Sequence, residues 1–212
     1  VMSGLATLLS LADSRLPVGG HVHSGGLEEA VTSGLVTDLA TLEAFLVRRI
    51  RSHGLVTASI AAAVHRGDLS VSDADAETDA RTPAPASRQA SRSQGRGLAR
   101  LARRVWPDPC WDGLDTRPHL ATVAGLVGAV SGLSPGQNAL TLVYTSMTSP
   151  ATAAQRLLAL DPADVAALTF GLAGLCERTA AEATTGLADL SDPLLDTLAQ
   201  RHTTRERPLF VS

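Results

Sequence analysis

Apolar residues recur at helical spacing along nearly the whole chain. Leu39, Leu42, Phe45, Leu46 and Ile50 fall on one face of a helix, with Thr37 or Asp38 placed to cap its start and Gly54 just past its end. Leu55 to His65 reads as a small-residue helix closed by Gly67. Leu120, Val123, Val127 and Val130 mark another stripe. Ser134-Pro135, Asp161-Pro162 and Ser191-Asp192-Pro193 each set a capping side chain before a proline at the first helical position. The second of these predicts one helix through Val165, Leu168, Leu172, Leu175 and Cys176 to about Thr185. The third opens a short helix carrying Leu194, Leu195 and Leu198. No alternating, strand-like run competes. The pattern predicts an all-α fold: a single bundle-like domain over residues 1–212, of about eight to ten helices.

Two segments stand apart. Residues 68–87 carry Asp68, Asp73, Asp75, Glu77 and Asp79 before Pro83 and Pro85, and read as a mobile polar loop or a short acidic helix. The charge then changes sign: Arg88, Arg92, Arg96 and Arg100 follow at i+4 spacing, with Arg103 and Arg104 beyond, while Leu98, Leu101 and Val105 give that helix a buried side. The row fits a protein-docking face, a solvated face paired with the preceding carboxylates, or a phosphate-tracking surface. The last gives the alternative reading, an arginine-faced helical protein that binds nucleic acid, although Trp106 alone makes no stacking platform. Gly125, Gly128, Gly132, Gly171 and Gly174 lie inside predicted helices and point to close helix–helix approach.

Composition narrows the chemistry. Aromatics make up 3% of the chain, so Leu, Ala and Val build the core, and the net charge of −3 gives no general attraction to nucleic acid or anionic lipid. All 18 basic residues are arginine, which removes a phosphate-loop lysine and every lysine-based mechanism. Cys110 and Cys176 make no disulfide framework, and nothing at the start resembles a signal peptide, so a cytoplasmic protein with reduced thiols is expected. No charged residue occurs between Pro118 and Gln155, but the apolar run Leu120–Leu133, about 14 residues, is short of the roughly 20 a membrane span requires.

The densest local signal is the run from Leu16 to Ala30, with Pro17, Gly19, Gly20, Gly25 and Gly26 around His21 and His23 before Glu28 and Glu29. It lacks the lysine and the preceding strand of a phosphate loop. His21 and His23 form an H-x-H pair that suits a transition metal, yet two ligands make no site, and two partly exposed turn histidines remain the plainer reading. Ser24 beside them has no orienting carboxylate, so no catalytic constellation emerges and no cofactor is implied. At the other end, residues 203–212 read as a flexible tail, polar and then apolar at Leu209 and Phe210. A terminal phenylalanine, in a chain with three, suits a partner's pocket.

Leu8 to Gly20, with the continuation Ser24-Gly25-Gly26-Leu27-Glu28, resembles the opening of the urease accessory protein family UreF: a leucine-rich helix, then L-P-x-G-G, then S-x-G-L-E. Ser91-Arg92-Ser93-Gln94-Gly95-Arg96-Gly97-Leu98 is similar to that family's second block, and Leu209-Phe210-Val211-Ser212 to its L-F-x-S ending. The resemblance implies an all-α homodimer without enzymatic activity. It implies a chaperone that bridges UreD (UreH in some systems) and the GTPase UreG while nickel is inserted into apo-urease. It also implies partner-binding roles for Pro17, Gly19, Gly20, Ser24, Gly26, Glu28, Arg92, Arg96, Arg205, Arg207, Leu209 and Phe210. This sequence departs from the family at His21 and His23, where aromatics are usual, and at Pro208, where arginine usually precedes L-F; Arg207 or Arg205 stands in its place.

Overall fold

The computed structural model describes residues 4–13, 16–18, 23–107, 109–189, 192–206 and 208–210. Its elements, in order, are α1 (Leu5–Leu11), α2 (Leu27–Thr32), α3 (Leu39–Arg49), α4 (Leu55–Arg66), α5 (Val71–Arg81), α6 (Pro85–Val105), α7 (Leu120–Val130), α8 (Pro135–Leu157), α9 (Pro162–Gly171), α10 (Ala173–Ala183) and α11 (Pro193–His202). No strand occurs among the described residues, and the chain is all-α.

The caps read from sequence form where expected. Asp38 Oδ1 accepts the Thr41 amide at 2.9 Å while Thr41 Oγ1 accepts the Asp38 amide at 3.0 Å, closing both ends of a capping box on α3. Ser134 and Gln137 do the same for α8. Asp161 caps α9, and Asp192 accepts the amides of Leu194 and Leu195 at the head of α11. α4, buried over most of its length, is the central helix and packs on α7, α8 and α10. Leu27, Leu42, Leu46, Ile50, Met147 and Leu198 fill the main core beside it. Cys176 lies in that core, its thiol donating to the Met147 sulfur, and burial raises its pKa to about 11.

Several local expectations are corrected. Gly54 does not end a helix: Ile50–Gly54 is a turn of π-helix that joins α3 to α4 in one rod. Its missing side chain lets α8 approach, since a Cβ there would sit 2.7 Å from Ser146 Oγ. The helix expected from Pro162 to about Thr185 breaks at Leu172 into α9 and α10. Of the five interior glycines, Gly125 and Gly128 do serve close approach, to α4 and to α8. Gly132 lies just past α7, and a side chain at Gly171 would meet nothing within 4 Å.

Of the two expectations for segment 68–87, the short acidic helix is the one that forms. Ser70 Oγ accepts the Asp73 amide at 3.1 Å and starts α5, and α6 begins at Pro85. The acidic residues are ordered by partners: Arg81 pairs with Glu77 and Asp189, and Arg92 with Asp75 and Asp79.

Candidate partner-docking site

The first turn of α2 is where the two ends of the chain meet. Gly25 and Gly26 both have positive φ, at 63° and 88°, which turns the backbone sharply into the helix. Gly26 is the N-cap of α2, and Ser24, fully buried, accepts the Glu28 amide at 3.3 Å. Glu28 and Glu29 thus lie in the first helical turn, where free amides favour negative charge.

Glu28 is 2% exposed, and its carboxylate gathers the far end of the chain. Oε1 accepts the Leu209 amide at 2.8 Å; Oε2 accepts the Phe210 amide at 3.1 Å and His202 Nε2 at 2.8 Å. Burial pushes the Glu28 pKa up, but the Leu209 amide, the His202 ring and the Phe210 amide outweigh it and hold the carboxyl below its ordinary 4.5. Arg205 lies 3.8 Å from Glu28 and bonds Glu29 at 3.2 Å; Arg201 reaches Glu29 from α11 at 3.3 Å.

Leu209 and Phe210 are therefore tied to the fold rather than free. Phe210, the expected anchor for a partner, is 7% exposed in the protein's own fold, with Arg156 over its ring at 5.8 Å. The tail stays down because a buried carboxylate needs donors, and the Leu209 and Phe210 amides supply them. Leu209 points the other way and is 78% exposed.

Behind this turn lies a hub that the sequence pattern did not reveal. Pro150 stands inside α8 and has no N–H, so the carbonyl of Ser146, four residues earlier, loses its helical donor. Arg49 Nε supplies one at 3.2 Å, and its Nη1 donates to the Gly25 carbonyl at 2.6 Å. Burial lowers the Arg49 pKa to about 10, with Asp192 opposing the shift. Arg49 also borders a cavity of about 220 Å³, lined among others by His23, His53, Asp192 and Asp196. His53 keeps solvent-accessible surface at this lining, while desolvation and Arg49 bring its pKa down to about 3. A proline in an amphipathic run was the visible signal for this hub; its arginine partner, distant in sequence, was not.

Of the arginine row, Arg92 is a structural residue rather than a free docking group. It bonds Asp75 at 3.2 Å and Asp79 at 2.7 Å, the carboxylates of the acidic segment just before it. The same cluster holds His119, fully buried, whose Nε2 meets Asp79 at 2.9 Å and whose Nδ1 meets Ser91 Oγ at 2.9 Å. Burial lowers the His119 pKa against the pull of Asp79, so the neutral ring donates from Nε2 and accepts the Ser91 hydroxyl proton at Nδ1. Ser91, His119 and Asp79 stand in the order of a hydrolytic triad. Here, however, Ser91 Oγ also accepts the Leu120 amide at 3.3 Å, and the cluster pins the head of α7 against α5 and α6. Arg96, by contrast, is exposed.

Pro17 is exposed, and the Pro17-Val18 backbone lies on α6 so closely that a Cβ at Gly97 would sit 3.1 Å from Val18 Cα. The first and second sequence blocks therefore touch, as the first and last do at Glu28. Gly19, Gly20, His21 and Arg207 lie outside the described residues. His23 is buried. Among the described residues no group of three or more His, Cys, Asp or Glu side chains could hold a metal ion, and no helix is long and apolar enough to cross a membrane.

The described residues thus form an all-α protein in which a glycine turn holds the distal end of the chain. A family model for UreF matches residues 36–173. Over their full lengths, the chain is 74% identical across 211 residues to urease accessory protein UreF of Mycobacterium tuberculosis and of Mycobacterium bovis. It is 72% identical to the Mycobacterium marinum protein of the same name, again over the whole of both chains. The chain belongs to the UreF family of urease accessory proteins.

Proposed function

We propose that this protein is a non-enzymatic chaperone of urease maturation that bridges UreD/UreH and the GTPase UreG while nickel, the cargo, is inserted into apo-urease. In this reading it works in the cytoplasm as a homodimer. The observation that carries the reading is the meeting of the family's first and last sequence blocks at Glu28, which presents the exposed Leu209 on an ordered tail. Further support comes from apolar surface left uncovered in the single chain: Phe170 on α9 is 82% exposed, with Leu5 and Leu9 on α1 also outward. Such surface is expected of a protein that functions in contact with others.

The test is reconstitution. Purified protein mixed with UreD and UreG should co-elute with both and should support nickel loading of apo-urease, while hydrolysing neither GTP nor urea alone. Failure to bind either protein, or turnover by the isolated chain abolished by a single substitution such as Ser24→Ala, would sink this reading.

A further inference from the structure

Helix α6 contains no acidic residue in its 21 positions, yet its arginines are not treated alike. Arg88 and Arg92, in its first half, face α5 and are neutralised by Asp75 and Asp79. Arg103 donates to the Trp111 carbonyl at 3.2 Å. Arg96, Arg100 and Arg104 are exposed and make no hydrogen bond or ion pair with any described residue. Four-residue spacing places them in one row, rising about 6 Å per step along the helix.

Folding does not account for this row. Like charges at i+4 repel by about 0.2–0.5 kcal/mol per pair, and nothing on α6 offsets them. The helix dipole favours Arg104 in the last turn, but it does not reach Arg96 in mid-helix. The backbone beneath the row is held firmly: a Cβ at Gly95 would lie 2.7 Å from the carbonyl carbon of His119, and Gly97 abuts Val18. The row is thus presented on a fixed helix, with the exposed Val105 beside its far end.

We propose that Arg96, Arg100 and Arg104 form a docking face for an acidic surface of a partner protein, one that sets carboxylates along a helix at matching i, i+4 spacing. This rests on the chaperone reading above and adds to it the chemistry of one contact. Charge complementarity selects the occupant. The chain as a whole carries −3, so the row is a local cationic feature rather than part of a general attraction to polyanions. It also lacks the interleaved aromatic side chains of a single-strand nucleic-acid platform.

The experiment measures binding of the full-length protein to purified UreD and to purified UreG across a range of NaCl concentrations. Arg96→Glu with Arg100→Glu should weaken one of the two complexes at least tenfold near physiological salt. The neutral pair, Arg96→Gln with Arg100→Gln, should weaken it less and keep the wild-type melting temperature. The difference should shrink near about 1 M salt, where the screening length falls to roughly 3 Å. Unchanged affinity of both folded variants for both partners would overturn the docking face and leave the chaperone reading standing. Failure of the wild-type protein to bind either partner would remove both. Micromolar binding of duplex DNA by the wild-type protein, lost in the glutamate pair, would overturn the proposal in favour of nucleic acid.

Discussion

Glu28 and Phe210 are separated by 182 positions and joined by one hydrogen bond of 3.1 Å, from the Phe210 amide to the Glu28 carboxylate. With the Leu209 amide and His202 on the same carboxylate, this bond makes Glu28 a residue whose removal should be felt along the whole tail. Glu28→Ala leaves the buried Phe210 amide, the part-buried Leu209 amide and the buried His202 imidazole without this acceptor. It should destabilise the fold by about 3 kcal/mol, a fall in melting temperature of roughly 6–12 °C measured by circular dichroism.

Leu209 and Phe210 should separate in their effects, although they are adjacent. Phe210→Ala removes a buried ring and should cost about 3 kcal/mol of stability. Leu209→Ala, at an exposed position, should change stability by less than about 0.5 kcal/mol. In the proposed function, Leu209→Ala is the variant that weakens the UreD complex, by about tenfold or 1.4 kcal/mol in a titration. Equal thermal melts for the two variants would contradict the packing described.

Gly95 tests the approach of α6 to the segment before α7. A Cβ there would meet the backbone of Pro118 and His119, which cannot rotate aside. Gly95→Ala should destabilise by about 1–3 kcal/mol. Gly136, in the first turn of α8 with nothing within 4 Å, is the control, and alanine there should be neutral or stabilise by about 0.4–1 kcal/mol.

Acid should loosen the protein in two windows. The His53 pKa falls from 6.5 to about 3 on folding, so the folded state binds fewer protons than the unfolded chain in between. Stability should therefore decline as pH drops below 6.5, and His53→Gln should flatten that decline. Glu28 is held below 4.5, so its contribution is complete above 4.5 and is lost as pH falls through the lowered value. Glu28→Gln should flatten only this lower limb in urea titrations at successive pH values.

What the sequence revealed was mostly local. Asp38, Ser134, Asp161 and Asp192 were legible as caps because a cap is decided by side chains within a few residues of it. The pairing of the arginine row with the acidic segment before it was legible as one of several choices, and Arg92 takes it. The burial of Phe210 was not legible, because the donors and the acceptor that hold the tail lie at opposite ends of the chain. The same applies to Arg49, whose role follows from a carbonyl left open by a proline far along the sequence. Glu28 was identified by family resemblance as a partner-binding residue. Its carboxylate is in fact spent inside the protein.

The seat of the tail also sets an order of events for a chain made from its N-terminal end. Glu28 leaves the ribosome 182 residues before Phe210, a delay of roughly ten to forty seconds at ordinary rates of synthesis. Through most of that interval its carboxylate lacks the His202 ring and the two amides that later hold it. Closing so long a loop opposes the contact by about 4–5 kcal/mol of chain entropy, so the rest of the bundle must form first and bring the ends together. A chain cut before Leu209 would leave the Glu28 carboxylate without the Leu209 and Phe210 amides, and the first turn of α2 without the contact that joins it to the distal end.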